Sequence, residues 1–192
     1  MKKDKYYIAS PTIVDPSLIL KNKELSLRFF KTATVVGIHF RVQDQELTAE
    51  HPEALGFCLE HMPHIQRIGL HFSGATLPPK AFKLFVQQFT KVAKPLEDYY
   101  IHLDRSTITD EQLCSLFEAS KPLCFPELWK FSLKLSETQI SNKPFFPLKE
   151  MLINSTKMEE LDLVFSRCRN VTDIWSLSAQ RTIQKYAKAS ST

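Results

Sequence analysis

The sequence predicts an α/β repeat fold, in which short parallel strands alternate with helices along a solenoid. Two observations predict it: an apolar template recurs along the chain, and a helical apolar pattern follows it. The template places apolar residues at offsets 0, 3, 5, 7 and 12 from its first residue. Its regular copies are Ile65, Ile68, Leu70, Phe72 and Leu77; Leu96, Tyr99, Ile101, Leu103 and Ile108; and Leu128, Phe131, Leu133, Leu135 and Ile140.

Two looser copies flank the regular ones. They are Met158, Leu161, Leu163 and Phe165, closing one residue late at Val171, and Ala33, Val36, Ile38 and Phe40, closing two residues late at Leu47. The starts at 33, 65, 96, 128 and 158 give steps of 32, 31, 32 and 30 residues. Such a constant step is typical of repeat architectures, because one unit cannot bury its own apolar face and neighbours must stack.

Each repeat is predicted to form a strand and then a helix. Offsets 3, 5 and 7 alternate, so their side chains share one face of a strand, and offsets 2, 4 and 6 point to the other face. In the third repeat, Thr109 or Asp110 can cap a helix that stops before Pro122. In the fourth, two prolines predict a short helix around residues 148–153. Parallel strands joined by helices should cross over with a right hand.

These residues carry a family resemblance. They look like leucine-rich repeats of the long, ribonuclease-inhibitor-like subclass, whose pattern is L-x-x-L-x-L, a polar ladder residue and I-x-D. The extra apolar residue at offset 7 is similar to the form common in ciliate proteins. The I-x-D end is matched by Ile108-Thr109-Asp110, Ile140-Ser141-Asn142 and Val171-Thr172-Asp173, whereas the ladder asparagine is replaced by Ala75, Ser106, Thr138 and Cys168.

The resemblance spans roughly residues 33–175. It implies a right-handed solenoid, a short horseshoe with its parallel sheet inside and its helices outside. We therefore expect an N-terminal cap over residues 1–32, about five repeats over 33–173, and a closing helix with a polar tail over 174–192.

Composition and charge bound the class of protein. The 192 residues are 43% hydrophobic and 24% charged with a net charge of +4, which is ordinary for a globular chain. No apolar run reaches the roughly 18 residues that a membrane span needs, and no secretory signal begins the chain. The four cysteines show no close pairing, which favours a reducing, cytoplasmic location.

Motifs for catalysis or cofactor binding are missing. The four glycines cannot build a phosphate-binding loop, and neither G-x-S-x-G nor H-E-x-x-H occurs. Cys58, His61 and His64 have a spacing that can ligate zinc, but no fourth ligand is near, and a helix end with cationic histidines is the simpler interpretation. We expect a protein that is not an enzyme and that has neither a metal nor another cofactor.

The strand side chains at offsets 2, 4 and 6 form the predicted binding face. Offset 2 gives charges of alternating sign, which can neutralise one another across strands. Offset 6 places three histidines in a row, which could form a neutral hydrogen-bonding patch, a metal site or a pH switch. The mixed charge does not indicate nucleic acid. The candidate partner-binding residues are His39, His71, Tyr100, His102, Asp104, Lys130, Lys134 and Asp162.

The function expected from the resemblance is protein–protein interaction through the concave strand face. The protein would be a free adaptor or a structural subunit of a larger assembly, with a protein partner that the sequence does not identify. The alternative is a metal-binding or pH-responsive regulatory protein that uses the histidine row. A third possibility is a repeat protein that has lost its ligand and survives by its fold alone. Binding through the convex helices also stays open.

Overall fold

A computed structural model describes residues 12–14, 16–32, 37–124, 127–168 and 170–171 of the chain. The strands are β1 (Thr12–Val14), β2 (Gly37–Arg41), β3 (Arg67–His71), β4 (Asp98–His102), β5 (Lys130–Lys134) and β6 (Glu160–Val164). The helices are α1 (Pro16–Lys21), α2 (Lys23–Thr32), α3 (Glu50–His61), α4 (Pro79–Gln87), α5 (Asp110–Cys124) and α6 (Phe145–Ile153), and a 3₁₀ turn (Gln88–Lys91) extends α4.

The six described strands form one parallel sheet whose order follows the chain from β1 to β6. A helix separates each strand from the next, and the helices pack against one face of the sheet. The predicted α/β architecture with a parallel sheet is therefore confirmed, and it is compatible with a solenoid. Sequential parallel strands require a crossover connection, which the helices provide.

The core lies between the sheet and the helices. Ile38, Ile68, Tyr99 and Phe131 are register partners on successive strands, and each is fully buried. Two residues further along each strand, a second fully buried row repeats the arrangement with Phe40, Leu70, Ile101 and Leu133. On β6 the matching Leu161 and Leu163 are only half-buried. The template offsets 3 and 5 are thus the buried positions of the sheet.

The register corrects the alignment of the first repeat. Ile38 pairs with Ile68, so it stands at offset 3, where the sequence alignment placed Val36. The first copy then starts at residue 35 and reaches Leu47 at offset 12 with no extra residues. The alternation of apolar residues fitted either start, because a shift of two residues keeps the same face buried. Repeat steps become 30, 31, 32 and 30 residues.

A left-handed turn at offset 9 follows each strand from β2 to β6 in this register. The residues are Asp44, Gly74, Arg105, Glu137 and Arg167, with φ between 53° and 70°. Among these five residues only Gly74 is a glycine, which adopts this conformation without strain. A side chain is also excluded there by space, since a Cβ would lie 2.0 Å from Oδ1 of Asp44. Backbone N–H groups of these turns donate to carbonyls of the next repeat, as from Arg105 to Ser136 at 2.8 Å. These hydrogen bonds offset the cost of the left-handed conformation at non-glycine residues.

The residues that replace the ladder asparagine hold the turns only in part. The hydroxyl of Thr138 donates to the carbonyl of Leu135 at 2.7 Å, and the thiol of Cys168 donates to the same carbonyl at 2.8 Å. Ser106 is buried, and its hydroxyl has no hydrogen-bond partner. At the positions where the resemblance implies an asparagine ladder, the side-chain contacts thus differ from repeat to repeat.

Helix α5 begins with a reciprocal cap. The N–H of Gln112 donates to the hydroxyl of Thr109 at 3.3 Å, while the N–H of Thr109 donates to the Gln112 side chain at 2.9 Å. Thr109 is thus the cap of the two candidates. Asp110 instead accepts hydrogen bonds from the backbone and hydroxyl of Ser141, one repeat away, at 2.7 and 2.5 Å.

Two predicted helix limits were wrong, and both errors involve proline. Helix α5 continues through Pro122 to Cys124, because the carbonyl of Leu123 accepts the N–H of Leu96 at 2.6 Å and Cys124 is fully buried. These tertiary contacts outweigh the helical bond that a proline lacks. Helix α6 begins at Phe145, three residues before its predicted start. The helix accommodates Pro147 because this residue lies in the first turn, where N–H groups have no helical partner.

The predicted ends of the chain have different outcomes. Residues 12–14 of the expected N-terminal cap form β1, which pairs with β2, and α1 packs against α3. The segment therefore has the strand-then-helix order of a repeat, and it continues the sheet. The predicted closing helix and tail at 174–192 lie outside the described residues.

We predict that Leu133→Ala lowers the free energy of unfolding by about 2–5 kcal/mol, because it leaves a cavity at a fully buried site in the middle of the sheet. Urea denaturation measures the change. The neighbouring Ser132→Ala, on the opposite face of β5, is the matched control and should change stability by less than about 1 kcal/mol. Equal losses in both variants would contradict the assignment of the two faces.

Candidate functional site

The candidate site is the strand face, which we define as the side chains at offsets 2, 4 and 6 of β2 to β6. In the corrected register, the rows across the sheet are Gly37, Arg67, Asp98, Lys130 and Glu160 at offset 2; His39, Gly69, Tyr100, Ser132 and Asp162 at offset 4; and Arg41, His71, His102, Lys134 and Val164 at offset 6. The alternation of each strand turns these side chains away from the helices. They are the polar side of the sheet.

The charged side chains of the offset-2 row form ion pairs with one another across neighbouring strands. Nε of Arg67 lies 3.2 Å from Oδ2 of Asp98, and Nζ of Lys130 lies 2.5 Å from Oε2 of Glu160. Burial raises the pKa of Asp98, and the charges of Arg67 and Lys130 partly oppose that shift. This row contributes cross-strand pairing, as the alternating signs in the sequence predicted.

The histidine row differs from its prediction at one end. His71 and His102 are register partners on β3 and β4, as predicted. His39 is not in their row, because it pairs with Gly69, and Arg41 is the residue level with His71. The corrected start of the first repeat moves His39 from offset 6 to offset 4. Sequence reasoning therefore missed Arg41 as a member of the row, and the closing residue Leu47 was the signal that could have found it.

His39 still joins the cluster because Gly69 has no side chain. A Cβ at Gly69 would lie 3.0 Å from Cδ2 of His39 and 3.1 Å from Nε2 of His71. In that space, Nδ1 of His39 and Nε2 of His71 lie 2.9 Å apart, and one N–H donates to the other ring nitrogen. The ring centroids of His71 and His102 are also 4.8 Å apart. The structure thus brings all three predicted histidines together.

The surroundings of the histidines favour their neutral form. Burial lowers the pKa of His71 to about 4, and His102, His39, Arg41 and Lys134 add to the effect. Burial also lowers the pKa of His39, with help from Arg41. For His102, burial and Lys134 lower the pKa, while Asp104 and Asp162 oppose them. The ring-to-ring hydrogen bond needs one nitrogen without a proton, so His39 and His71 cannot both become cations and keep it.

Tyr100 lies at the centre of the strand face, between the two charged rows. Its ring centroid is 6.1 Å from that of His39, and Nζ of Lys130 lies 5.9 Å from it. Its hydroxyl is 3.5 Å from Oδ2 of Asp98. Burial, followed by the charge of Asp98, raises the pKa of Tyr100. The predicted aromatic contact is therefore partly exposed and held in place by its neighbours.

Besides Lys130, which pairs with Glu160, two more of the predicted contact residues have structural partners. Asp104 lies in the turn after β4, and its carboxylate accepts the backbone N–H of Ser136 at 2.8 Å. Asp162 on β6 accepts the hydroxyl of Ser132 at 3.1 Å. Lys134, in contrast, belongs to the offset-6 row. Within the described part of the chain, neither Lys134 nor Arg41 forms an ion pair with a carboxylate.

The residues with zinc-like spacing serve other contacts. Cys58 is buried in the core, and burial raises the pKa of its thiol to about 12. Nδ1 of His61 lies 2.9 Å from the carbonyl oxygen of Phe57, and Nδ1 of His64 lies 3.4 Å from Nζ of Lys94. Among the described residues, no group of three or more histidine, cysteine or carboxylate side chains is placed to hold a metal ion. All four cysteines are free thiols.

The helix side has a different character. Ion pairs join its successive repeats, such as Lys91 to Glu60 at 3.4 Å and Lys143 to Glu111 at 3.5 Å. Large apolar side chains are also exposed there, including Phe146 (62%) and Ile153 (39%), which lie seven residues apart on α6. The sequence analysis did not single out this helix face.

Comparison with known proteins gives no name for this arrangement: no protein-family model matches the chain, and no curated protein does either. None of the helices in the described ranges is long and apolar enough to cross a membrane.

We predict that acidification destabilises the protein partly through His71. Its folded pKa of about 4 lies below the unfolded value of 6.5, so the unfolded chain binds more protons between those pH values, and stability falls as pH falls through that window. Urea denaturation at pH 7.0 and 5.0 should show that His71→Gln loses less stability than the unchanged protein does. Equal losses in the two proteins would contradict the assignment.

We also predict that Gly69→Ala displaces the His39 ring, because a Cβ at Gly69 leaves no room beside it. The imidazole signals of His39 and His71 in NMR spectra should shift. Stability should change by about 1 kcal/mol or less, because loss of a half-buried hydrogen bond is offset by the greater strand preference of alanine. Unchanged imidazole signals would show that Gly69 does not make the room for this contact.

Proposed function

We propose that the chain is a leucine-rich-repeat protein, a right-handed horseshoe, that acts as a non-enzymatic protein-interaction module or as a subunit of a larger assembly. The observation that carries this proposal is the recurrence of one unit in sequence and structure. The apolar template, the left-handed turn at offset 9 and the parallel register repeat with the same step. Solenoids of this kind present a continuous strand face, which suits recognition of an extended surface.

The strand face is the proposed partner surface. It combines a partly exposed aromatic, Tyr100, with neutral imidazoles that can donate and accept hydrogen bonds. Aromatic residues near the centre of a patch contribute most to many protein interfaces, whereas exposed charges at its rim contribute less. The contact set we propose is His39, His71, Tyr100, His102 and Lys134, with Arg41 added by the corrected register.

A pH-responsive role is the second candidate, and the histidine cluster favours it. Three imidazoles, of which His71 contacts the other two, resist protonation with Arg41 and Lys134 beside them. A partner that supplies negative charge would reverse that preference, so binding and protonation would be linked. This role uses the same surface as the first, and it adds regulation to recognition.

We expect that replacing Tyr100 and His102 by alanine removes the principal partner contacts of the protein in cells. Cross-linking followed by mass spectrometry identifies those contacts for the unchanged protein and for the Tyr100→Ala/His102→Ala variant. Both side chains are only half-buried, so the fold should persist, which circular dichroism of the purified variant checks.

The matched control changes the other side of the molecule. Phe146→Ser/Ile153→Ser alters exposed apolar residues of α6 and should leave the same contacts in place. Contacts that survive the strand-face variant and disappear in the helix-side variant would move the partner surface to the convex side and overturn the proposal.

A further inference from the structure

The offset-6 row carries a feature that the other rows of the strand face lack. Its members on β2 to β5 are Arg41, His71, His102 and Lys134, which are register partners in that order. None of the four is acidic, and a cation stands at each end. The offset-2 row, by comparison, pairs each cation with a carboxylate on the next strand. The offset-6 row is therefore a basic stripe four residues along each strand from a neutralised one.

The charges around this stripe do not cancel it. The carboxylates that act on His102 are Asp104 and Asp162, which already accept hydrogen bonds from Ser136 and Ser132. From the neighbouring offset-4 row, His39 and Tyr100 face the stripe, and neither is an anion near neutral pH. Arg41 is exposed and Lys134 half-buried, so both can be reached from solvent. Within the described residues, the two cations of the stripe, Arg41 and Lys134, thus form no ion pair with a carboxylate.

We propose that the offset-6 row binds an acidic, extended segment of a protein partner, an inference that rests on the proposed function. Three strand spacings separate Arg41 from Lys134, which is roughly 14 Å. An extended chain covers about 13 Å in four residues, and side chains four residues apart point to the same face. The fitting segment has two carboxylates at positions i and i+4, one for each cation, and its middle residue lies over His71 and His102.

An acidic segment also suits the histidines. A carboxylate above the stripe favours protonation of His71 and His102, so the segment should bind more tightly as the pH falls from 7.5 to 5.5, a range in which glutamate stays charged. Nucleic acid fits the face less well, because Tyr100 is the one aromatic available for stacking on the described strand face.

Fluorescence anisotropy with a labelled peptide tests the inference. The probe is Glu-Thr-Val-Thr-Glu flanked by Gly-Ser pairs, and its controls replace both glutamates by glutamine or shorten the spacing to Glu-Thr-Thr-Glu. We expect the first probe to bind most tightly, with affinity that falls at high salt and rises at pH 5.5.

Protein variants locate the binding. Arg41→Gln and Lys134→Gln should each weaken the first probe about threefold, and the double variant about tenfold. Lys83→Gln/Lys149→Gln removes the same net charge from exposed positions on α4 and α6 and should leave binding unchanged. No difference between the two double variants, or no preference for glutamates at i and i+4 over i and i+3, overturns the inference.

Two further outcomes separate this inference from the proposed function. If a labelled ten-nucleotide oligouridylate binds more tightly than the peptide and loses its binding in Arg41→Gln/Lys134→Gln, the stripe binds phosphates and the acidic-segment inference is wrong. If cellular contacts depend on Tyr100 and His102 while the peptide fails to bind, the strand face remains the partner surface and only the acidic segment is overturned.

Discussion

Parallel pairing in register is the constraint on which the rest of this structure depends. It brings the same template position of every repeat into one row across the sheet, so that Ile68, Tyr99 and Phe131 share the core and Arg67, Asp98 and Lys130 share the outer face. Because side chains alternate along a strand, a residue's offset decides which face of the sheet its side chain joins. The neighbours of a charged or aromatic side chain on one strand are consequently the residues at the same offset in the two adjacent repeats.

The turns maintain that register, although their left-handed backbone conformation is unfavourable for residues other than glycine. Four non-glycine residues adopt the left-handed conformation at offset 9, and two of them, Glu137 and Arg167, also form an ion pair at 2.9 Å between adjacent turns. Backbone hydrogen bonds from each turn to the next repeat make the conformation a shared feature of the stack. Backbone bonding between repeats thus supplies the regularity of the stack.

The strand face combines two kinds of electrostatic arrangement, four residues apart along each strand. One row pairs its charges and stabilises the sheet, whereas the other holds neutral imidazoles between two cations that form no ion pair with a carboxylate of the described residues. A surface that resists protonation by itself responds to a negatively charged partner, because binding and proton uptake then reinforce each other. This physical asymmetry connects the fold to the interaction that we propose, and it links both candidate functions to one set of residues.

The sequence by itself determined the repeat, the parallel α/β architecture and the buried and exposed faces, because a period-2 pattern and a constant step allow few alternatives. It predicted that His71 and His102 are neighbours for the same reason. Alternation alone did not determine the start of the first repeat, since a shift of two residues buries the same face, and only the spacing to Leu47 distinguished the two starts. Only the tertiary structure decided that Arg41 stands beside His71, that the gap over Gly69 admits His39, and that α5 passes through Pro122. Each of these depends on contacts between residues about 30 positions apart, which no local pattern records.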